Sequence, residues 1–285
     1  MKQFSVIFNN KTYFFDPKKP LHLAIELMAG DENPNCYYAE NPVFQTIKAD
    51  NFIGNVAQGG SCNYQKIMLT PHGNGTHTEC YGHISAHENA TVSKCFNENL
   101  FLAQLVTLTP KPIILTEKST QKNTTNSNVD SNDFVVTFED FLVSLEGKNI
   151  AEIEAIIIRT LPNGSDKKTK KYSDTNPPYL DFRICKYLAD NNITHLLLDL
   201  PSVDKEIDGG ELKAHHAFWQ ITNNQEDDNK NQQQISTNIR KNTGITEMIF
   251  VDNEIKNGLY LLDLQILRMN IDAVPSKPIL YELYQ

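Results

Sequence analysis

Residues 155–200 open with AIIIRT (155–160), contain PYLDFRICKYLAD (178–190) and close with HLLLDL (195–200). The first and last of these segments are short apolar runs, which is typical of interior β-strands. In the middle segment the apolar residues recur at the spacing of one helix face: Leu180, Ile184, Tyr187 and Leu188. A strand, a helix and a second strand in succession predict an α/β domain.

Outward from this stretch, the patterning predicts more strands than helices. The expected elements are a hairpin over 3–8 and 11–15, strands at 21–27, 105–116 (interrupted at Pro110), 248–251 and 279–283, an apolar run at 259–269 that fits a strand or a strand followed by a helix, and a helix capped by Thr137 that ends near Gly147. Residues 28–66 show little periodicity and are predicted to be mostly loop. The segments 117–133 and 223–238 are polar and of low complexity, so we predict one domain over 1–285 with two polar insertions there.

The composition is that of an ordinary globular protein, with 40% hydrophobic and 21% charged residues and a formal net charge of −9. An acidic chain gains nothing from phosphate backbones or anionic lipids, so nucleic-acid and membrane-surface roles are disfavoured. No segment approaches the roughly 20 apolar residues of a membrane span. The five cysteines are scattered without a CxxC pair, which favours a reducing compartment. We therefore expect a cytoplasmic protein.

The histidines are concentrated in one segment. Four of the eight, His72, His77, His83 and His87, lie within sixteen residues, in and just after the sequence PHGNGTHTECYGH that also contains Glu79. Imidazole and carboxylate are ligands that Zn²⁺, Mn²⁺ and Fe²⁺ accept. On an extended segment His77 and Glu79 point to the same side, and the neighbouring glycines allow a turn that returns His72 to the same point.

A cation held there lowers the pKa of bound water to about 7 and so provides a nucleophile at neutral pH. His83 lies four residues beyond Glu79, and a histidine that does not bind the metal is a natural proton shuttle beside such a water. The alternative is a chance accumulation of surface histidines. That alternative fits His87 best, because it lies in the polar stretch AHENAT.

Three ligands from one loop rarely complete a site, so more distant donors are expected. The pair His215–His216 follows the segment DLPSVDKE, in which Asp199 and Asp204 come after a predicted buried strand. Adjacent side chains diverge, so we expect only one of the two histidines to bind the metal, and the sequence leaves the choice open. Glu247, expected at the start of a strand, is either a ligand or a paired edge residue.

These segments resemble the cyclase family of metal-dependent hydrolases, which includes kynurenine formamidase and isatin hydrolase. GTHTECYGHI is similar to the family's G-T-H-x-D-x-x-x-H signature, LDLPSVDKEIDGGELKAHH to its D-T-P-S-V-D segment and following histidine, and GITEMIFVDN to its I-L-E-G-L-V-L segment. The segments occur in the family's order and span most of the chain. The resemblance implies an α/β fold of the swivelling β/β/α type, with mixed sheets and flanking helices, in a homo-oligomer.

The resemblance also implies roles for individual residues. His77, Glu79, His215 and Glu247 fall on metal-ligand positions, and His83 falls on the catalytic acid/base. His72 is the remaining predicted ligand, although Gly73 holds the family's position for the first histidine. Glu79 stands where the family usually has aspartate. These departures, with the long polar insertion at 223–238, indicate a subgroup distinct from the true kynurenine formamidases.

The expected function is hydrolysis of a carbon–nitrogen bond, in an amide, formamide or cyclic amide, resembling that of arylformamidase. The expected cofactor is one or two divalent ions, Zn²⁺ first and Mn²⁺ as the alternative, and the expected partner is a small-molecule substrate. Two alternatives stay open: a metal-dependent lyase or cyclase, and a binding protein without catalysis. Outside the ligand set, Arg159 is a salt-bridge or substrate-carboxylate candidate, and the aromatic residues near the motif either line a pocket or pack in the core: Tyr37, Tyr38, Tyr81 and Phe96.

Overall fold

The computed structural model describes residues 4–113, 130, 132–222 and 238–284. The strands are β1 (Phe4–Phe8), β2 (Lys11–Phe15), β3 (Leu21–His22), β4 (Val43–Thr46), β5 (Lys48–Ala49), β6 (Phe52–Ile53), β7 (Gln65–Met68), β8 (His77–Glu79), β9 (Leu100–Leu108), β10 (Lys111–Pro112), β11 (Phe134–Val136), β12 (Ala155–Thr160), β13 (Tyr179–Leu180), β14 (His195–Leu198), β15 (Gly244–Glu247), β16 (Gly258–Ile266) and β17 (Ala273–Glu282). The helices are α1 (Pro71–Asn74), α2 (Val92–Cys95), α3 (Phe138–Ser144), α4 (Phe182–Asp190) and α5 (Lys213–Trp219).

The central feature is a mixed sheet that closes on itself. Its strands follow the order β16-β9-β12-β14-β15-β8-β17, and β16 pairs with β17 to complete the ring, while β3 extends the sheet from β17. The strands from β9 through β12 and β14 to β15 are parallel neighbours, and the remaining pairs in the ring are antiparallel. The α/β fold predicted from the sequence is confirmed.

Alternate residues of the central strands feed two separate cores. On β12, Ala155 and Ile157 belong to a cluster drawn from strands and loops, whereas Ile156 and Ile158 belong to a cluster that also contains helix residues. The second cluster includes α3, α4 and α5, which therefore cover the outer face of the ring. Each fully buried Ile or Leu contributes about 1.5–3 kcal/mol to folding, so this two-faced burial fixes the register of the strands.

Helix α4 is shorter than predicted. Residues 178–190 were expected to be helical throughout, but Tyr179 and Leu180 form β13 and pair in parallel with β11. Asp181 then caps the helix by accepting a hydrogen bond from the Arg183 backbone N–H. The apolar spacing correctly predicted the helix from Phe182 onward, but the residues expected at its start pair in a strand instead.

Three strand predictions need correction. The strand expected at 248–251 lies earlier, as β15 at Gly244–Glu247, because Met248 has a positive φ of 51° that ends the extended backbone. Glu247 is therefore the last residue of a strand rather than the first. Of residues 21–27 only Leu21 and His22 form a strand; Leu23 still donates to the Pro278 carbonyl oxygen, but the Ile25 N–H turns to the Thr76 hydroxyl. The strand expected at 105–116 begins earlier, as β9 at Leu100–Leu108.

Other predictions are confirmed. β1 and β2 form the opening hairpin, β12 and β14 are buried strands, and Thr137 caps α3 by accepting from the Asp140 N–H. The run at 259–269 is largely the strand β16. The predicted insertions at 117–133 and 223–238 lie almost wholly outside the described residues. In the described part of the chain, no helix has the length and apolar character needed to cross a membrane.

Residues 43–68 form two small ribbons, in which β4 pairs with β7 and β5 pairs with β6. Among the described strands these four pair only with one another. Their apolar side chains Val43, Val56, Tyr64, Ile67 and Met68 are exposed. Only Leu69 and Thr70 separate the last ribbon strand, β7, from α1, so these ribbons lead directly into the histidine cluster.

Candidate metal centre

Strands β8 and β15 place three predicted ligands on one face of the sheet. The antiparallel register sets Glu247 directly opposite His77, and Glu79 follows two residues along β8. Side chains that face each other across a strand pair, or that lie two apart on one strand, share a face. His77 Nε2 is 3.5 Å from Glu247 Oε2, and all three side chains are buried.

Helix α5 brings His215 to the same point. His215 Nε2 is 3.1 Å from Glu79 Oε1 and 3.8 Å from Glu247 Oε1. The other ring nitrogen, Nδ1, is 2.7 Å from Asp204 Oδ2, and the Asp204 carboxylate also accepts the backbone N–H groups of Ala214 and His215. Asp204 therefore fixes both the start of the helix and the orientation of the imidazole.

His72 reaches the centre from α1, despite its displacement from the family position. Its Nδ1 is 3.2 Å from Glu79 Oε2. The family position is held by Gly73, where a Cβ atom would lie 2.3 Å from the Ala39 Cβ and 3.0 Å from the Cys36 carbonyl oxygen. No side chain fits there without a backbone shift, so the structure places the imidazole one residue earlier.

His83 lies in a 3-10 turn, Tyr81–Ile84, at the edge of the cluster. Its Nδ1 is 3.7 Å from Glu79 Oε2 and 3.6 Å from Asp272 Oδ2. The side chains of His72, His83 and Asp272 are 26%, 29% and 30% exposed, whereas those of Glu79, His215 and Glu247 are 0%, 2% and 4% exposed. Solvent and small molecules therefore reach the cluster from the side where His83 lies.

The buried carboxylates favour positive charge beside them, and this shifts the pKa values of the groups in the cluster. Burial raises the pKa of Glu79, but the nearby His83 and His215 more than offset this and hold it well below its usual range. Burial lowers the pKa of His215, yet Glu79 and Asp204 raise it well above the ordinary value. For His72, burial is likewise outweighed, first by the hydrogen bond to Asp272 and then by the nearby Glu79 carboxylate, so its pKa is raised to about 10.

Two buried atoms of the cluster have no hydrogen-bond partner among the described residues. They are His77 Nε2 and Glu79 Oε2. Buried polar atoms are almost always paired, so an unpaired nitrogen and an unpaired oxygen in one cluster need an explanation. A divalent cation provides one, because imidazole nitrogen and carboxylate oxygen are its usual ligands. Three overlapping triads in the cluster each have ligand atoms within 4.8 Å of one another: His72–His77–Glu79, Glu79–His83–His215 and His72–His83–Asp272.

The structure thus brings together all six residues predicted for the site: His72, His77, Glu79, His83, His215 and Glu247. It separates His216, whose Nδ1 contacts the Ile221 carbonyl oxygen, and His87, whose Nδ1 accepts from the Asn89 N–H. On α5, the His215 side chain points into the cluster and the His216 side chain points away from it, so only His215 is in a position to be a ligand.

The contacts of Arg159 and Asp199 place both residues in structural roles away from the cluster. Arg159 is buried and donates to the carbonyl oxygens of Asp252 and Ile255 and to the Thr107 hydroxyl, so among the described residues it forms no salt bridge. Asp199 accepts from Thr160 and pairs with Lys167. Of the aromatic candidates, Tyr81 and Phe96 belong to the core, whereas Tyr37 and Tyr38 are 44% and 72% exposed.

Asp272 is the site residue that the sequence reasoning missed. It precedes β17, whose Ala273 lies opposite Glu79, and its Oδ2 is 2.8 Å from His72 Nε2. A carboxylate directly before a strand was a weak signal, because nothing in the sequence showed that this strand borders β8.

Comparison with known proteins gives one family match and several similar folds. The family model described as "Putative cyclase" matches residues 6–205. Among solved structures, isatin hydrolase A from Ralstonia solanacearum is 12% identical with a TM-score of 0.59, over 94% of this chain and 92% of that chain. Isatin hydrolase A from Labrenzia aggregata, bound to benzyl benzoate, is 13% identical with a TM-score of 0.58, over 92% and 93%.

A protein described as the "predicted metal-dependent hydrolase from Bacillus stearothermophilus" is 14% identical with a TM-score of 0.55, over 92% of this chain and 98% of that chain. At these identities the likeness establishes the fold. Among curated proteins, none matches the sequence at a significant level.

Proposed function

This chain belongs to the cyclase family, whose model matches residues 6–205, and on that premise we propose that it is a metal-dependent hydrolase of a carbon–nitrogen bond. The observation that carries the proposal is the meeting of His77, Glu79, His215 and Glu247, together with two of their buried atoms that have no hydrogen-bond partner in the described part of the chain. These four proposed ligands come from three separated segments of the chain, and the partly exposed His83 lies beside them. Such an arrangement is suited to activating water.

The buried residues would hold the cation, with His72 as a further ligand. When bound, a divalent cation supplies Lewis acidity, which lowers the pKa of water and polarises a carbonyl group. We propose Zn²⁺ first, because histidine-rich sites with carboxylates suit it, and Mn²⁺ as the alternative. Outer contacts orient the ligands: His77 Nδ1 is 3.0 Å from the Gly75 carbonyl oxygen, and Glu247 Oε1 accepts the Val203 N–H.

His83 has the position of the acid/base. Its exposed edge faces the side from which a substrate enters, and its Nδ1 is within 4 Å of both Glu79 and Asp272. In hydrolysis of an amide, the carbonyl carbon gains the oxygen of water and the leaving nitrogen gains a proton. His83 would pass that proton from the attacking water to the leaving nitrogen.

Aromatic and apolar groups around the entrance favour a compact, partly apolar amide. Although the Tyr37 residue is 44% exposed, its hydroxyl is the buried end, and burial followed by the Glu247 charge raises the pKa of that hydroxyl. The exposed side chains of Leu267, Met269 and Ile271 lead to Asp272 along the chain. A formamide or cyclic amide with a ring is therefore the substrate class we propose.

The test is hydrolysis of N-formylkynurenine and of isatin by protein loaded with Zn²⁺ or Mn²⁺. We expect turnover that is lost with a chelator and reduced by about 100-fold or more in His83→Ala. His87→Ala is the matched control, because His87 lies outside the cluster, and it should keep full activity. A product heavier by one water identifies hydrolysis rather than lyase or cyclisation chemistry. Turnover that survives both chelation and His83→Ala would overturn the proposal, and bound metal without any turnover would favour a binding protein.

A further inference from the structure

We propose that Asp272 is a positioning residue that makes His72 a metal ligand. The inference rests on the proposed function, since it concerns how this chain completes that metal site. Asp272 Oδ2 lies 2.8 Å from His72 Nε2, and His72 Nδ1 lies 3.2 Å from Glu79 Oε2 at the centre of the cluster. A carboxylate accepts but does not donate, so it holds the proton on Nε2 and leaves Nδ1 to face the cation.

The two fully buried histidines of the site, His77 and His215, show the same arrangement as His72. His77 turns Nδ1 to the Gly75 carbonyl oxygen and Nε2 inward. His215 turns Nδ1 to Asp204 and Nε2 inward. Each ring therefore has one nitrogen held by an oxygen acceptor outside the cluster and one nitrogen facing its centre. Such outer acceptors fix the tautomer and orientation of metal-binding histidines.

His72 depends on its outer acceptor more than the other two do. It sits on α1, a helix of only four residues, and its side chain is 26% exposed, whereas the rings of His77 and His215 are packed inside the protein. An exposed imidazole on a short element has several accessible rotamers. Its bond to Asp272 selects the one that turns Nδ1 toward Glu79.

Asp272 is itself held firmly enough for this task. Its carbonyl oxygen accepts the Cys80 N–H at 2.9 Å, and the next residue, Ala273, pairs with Glu79 in the sheet. The carboxylate is thus fixed to the strand that carries the ligands. A Cβ at position 73 would lie 2.3 Å from the Ala39 Cβ, whereas His72, one residue earlier, has both space and an acceptor for its ring.

Two other roles for Asp272 are distinguishable from this one. Its Oδ2 is also 3.6 Å from His83 Nδ1, so it could act through His83. It also belongs to a triad with His72 and His83 whose ligand atoms lie within 4.8 Å, so it could bind an ion directly. The His72 contact is the shorter by 0.8 Å, the difference between 3.6 and 2.8 Å, and it alone has hydrogen-bond geometry.

The experiment measures Zn²⁺ affinity and stoichiometry by competition with a chromophoric chelator, without any assay of turnover. We expect Asp272→Ala to weaken binding by about 10- to 100-fold with unchanged stoichiometry, and Asp272→Asn, whose amide oxygen still accepts, to recover much of the loss. Asp263→Ala is the matched control, because that carboxylate lies on β16 and accepts from Asn99, and the variant should bind Zn²⁺ as the wild type does. Urea unfolding of each protein in chelator checks that the metal-free fold is intact.

A double-mutant comparison identifies the residue through which Asp272 acts. In a His72→Ala background, Asp272→Ala should have no further effect on Zn²⁺ affinity, whereas in a His83→Ala background its full effect should remain. Unchanged affinity in Asp272→Ala, a loss of one bound ion, or an effect that persists without His72 would each overturn the inference. If the wild type binds no Zn²⁺ or Mn²⁺ at all, the proposed function fails instead.

Discussion

Glu79 is the residue on which the cluster converges, and its length matters. One carboxylate oxygen lies 3.1 Å from His215 Nε2 and the other 3.2 Å from His72 Nδ1. The aspartate usual in the family would be one methylene shorter, on a backbone whose position is fixed by pairing with both β15 and β17. The longer side chain of Glu79 allows its two carboxylate oxygens to reach the imidazoles of His72 and His215.

We predict that Glu79→Asp weakens Zn²⁺ binding by at least about tenfold, because the retracted carboxylate no longer reaches both imidazoles. Isothermal titration with the metal measures this. Glu154→Asp is the control, since it shortens a half-buried glutamate that accepts the Leu102 N–H elsewhere in the sheet. Equal or tighter binding in Glu79→Asp would show that the glutamate does not set the size of the site.

His195 is a buried histidine outside the metal centre. Its ring lies 4.4 Å from that of Phe101, and among the residues that the structure describes its Nδ1 has no hydrogen-bond partner. Burial, with a smaller contribution from Arg240, lowers its pKa from 6.5 to about 3. The folded protein therefore keeps this imidazole neutral under conditions in which the unfolded chain protonates it.

It follows that His195 makes the protein less stable as the pH falls from about 6.5 toward 3, because the unfolded state then binds the extra proton. The expected contribution is about 2 kcal/mol lost between pH 7 and pH 5. Urea unfolding in chelator at both pH values should show a smaller loss for His195→Leu than for the wild type. His87→Leu, a change at a more exposed histidine, should leave the pH dependence unaltered. An identical pH dependence in His195→Leu would refute the assignment.

At the scale of elements, the turn from α1 into β8 positions the first two histidines. Gly73 packs so closely on Ala39 and on the Cys36 carbonyl that an added Cβ has no room. Gly75 then adopts a φ of 155° before β8 begins. The short helix and the strand meet at an angle that returns His72 to the face occupied by His77 and Glu79.

We predict that Gly73→Ala lowers the free energy of unfolding by about 1–3 kcal/mol, the usual cost of forcing extra volume into a packed site. Gly258→Ala is the matched control, because its added Cβ would meet only the Tyr260 ring at 3.8 Å and the position has no positive φ. Urea unfolding should show a neutral or slightly stabilising effect there. If Gly73→Ala is as well tolerated as the control, packing does not account for the displaced histidine.

At the scale of the whole molecule, the proposed centre joins distant parts of the chain. Its members come from α1, β8, the turn after β8, α5 and β15, and Asp272 precedes β17. Because this arrangement exists only in the folded state, a cation bound there stabilises the fold by mass action, by about 2.7 kcal/mol at a free concentration 100 times the Kd. Chelation removes that contribution.

We therefore expect the thermal midpoint to fall when metal is removed and to recover when Zn²⁺ or Mn²⁺ is restored. Calorimetry measures the shift, and His77→Ala combined with Glu247→Ala should abolish it, while His87→Ala should preserve it. A shift that persists in the double variant would place the stabilising ion somewhere other than this centre.

The homo-oligomer expected from the family resemblance remains a prediction, and residues 43–68 offer a place to test it. Their ribbons expose Tyr64, Ile67 and Met68 and pair with no other described strand, although isolated two-stranded ribbons are only marginally stable in water. We expect sedimentation to show an oligomer that Ile67→Lys weakens and Lys66→Gln does not. A monomer at all concentrations would refute the expectation.

The sequence by itself determined the α/β fold, the buried strands β12 and β14, the cap of α3 and the chemical character of the site. These follow from local patterns: apolar runs, helical spacing, a capping threonine, and histidines next to a carboxylate and glycines. The six residues could be predicted to form one site because the types of side chain that bind metals are few and their spacing resembles a known family.

Only the tertiary structure decided which side chains meet. It turned His215 into the cluster and His216 away from it, as the family resemblance implied but the residues alone did not. It also placed Glu247 at the end of the last strand of the parallel run, and it brought Asp272 beside His72 across 200 residues of chain. Those outcomes depend on strand order, on register and on the packing of Gly73 against Ala39. Such contacts arise between distant segments, so no local pattern in the sequence encodes them.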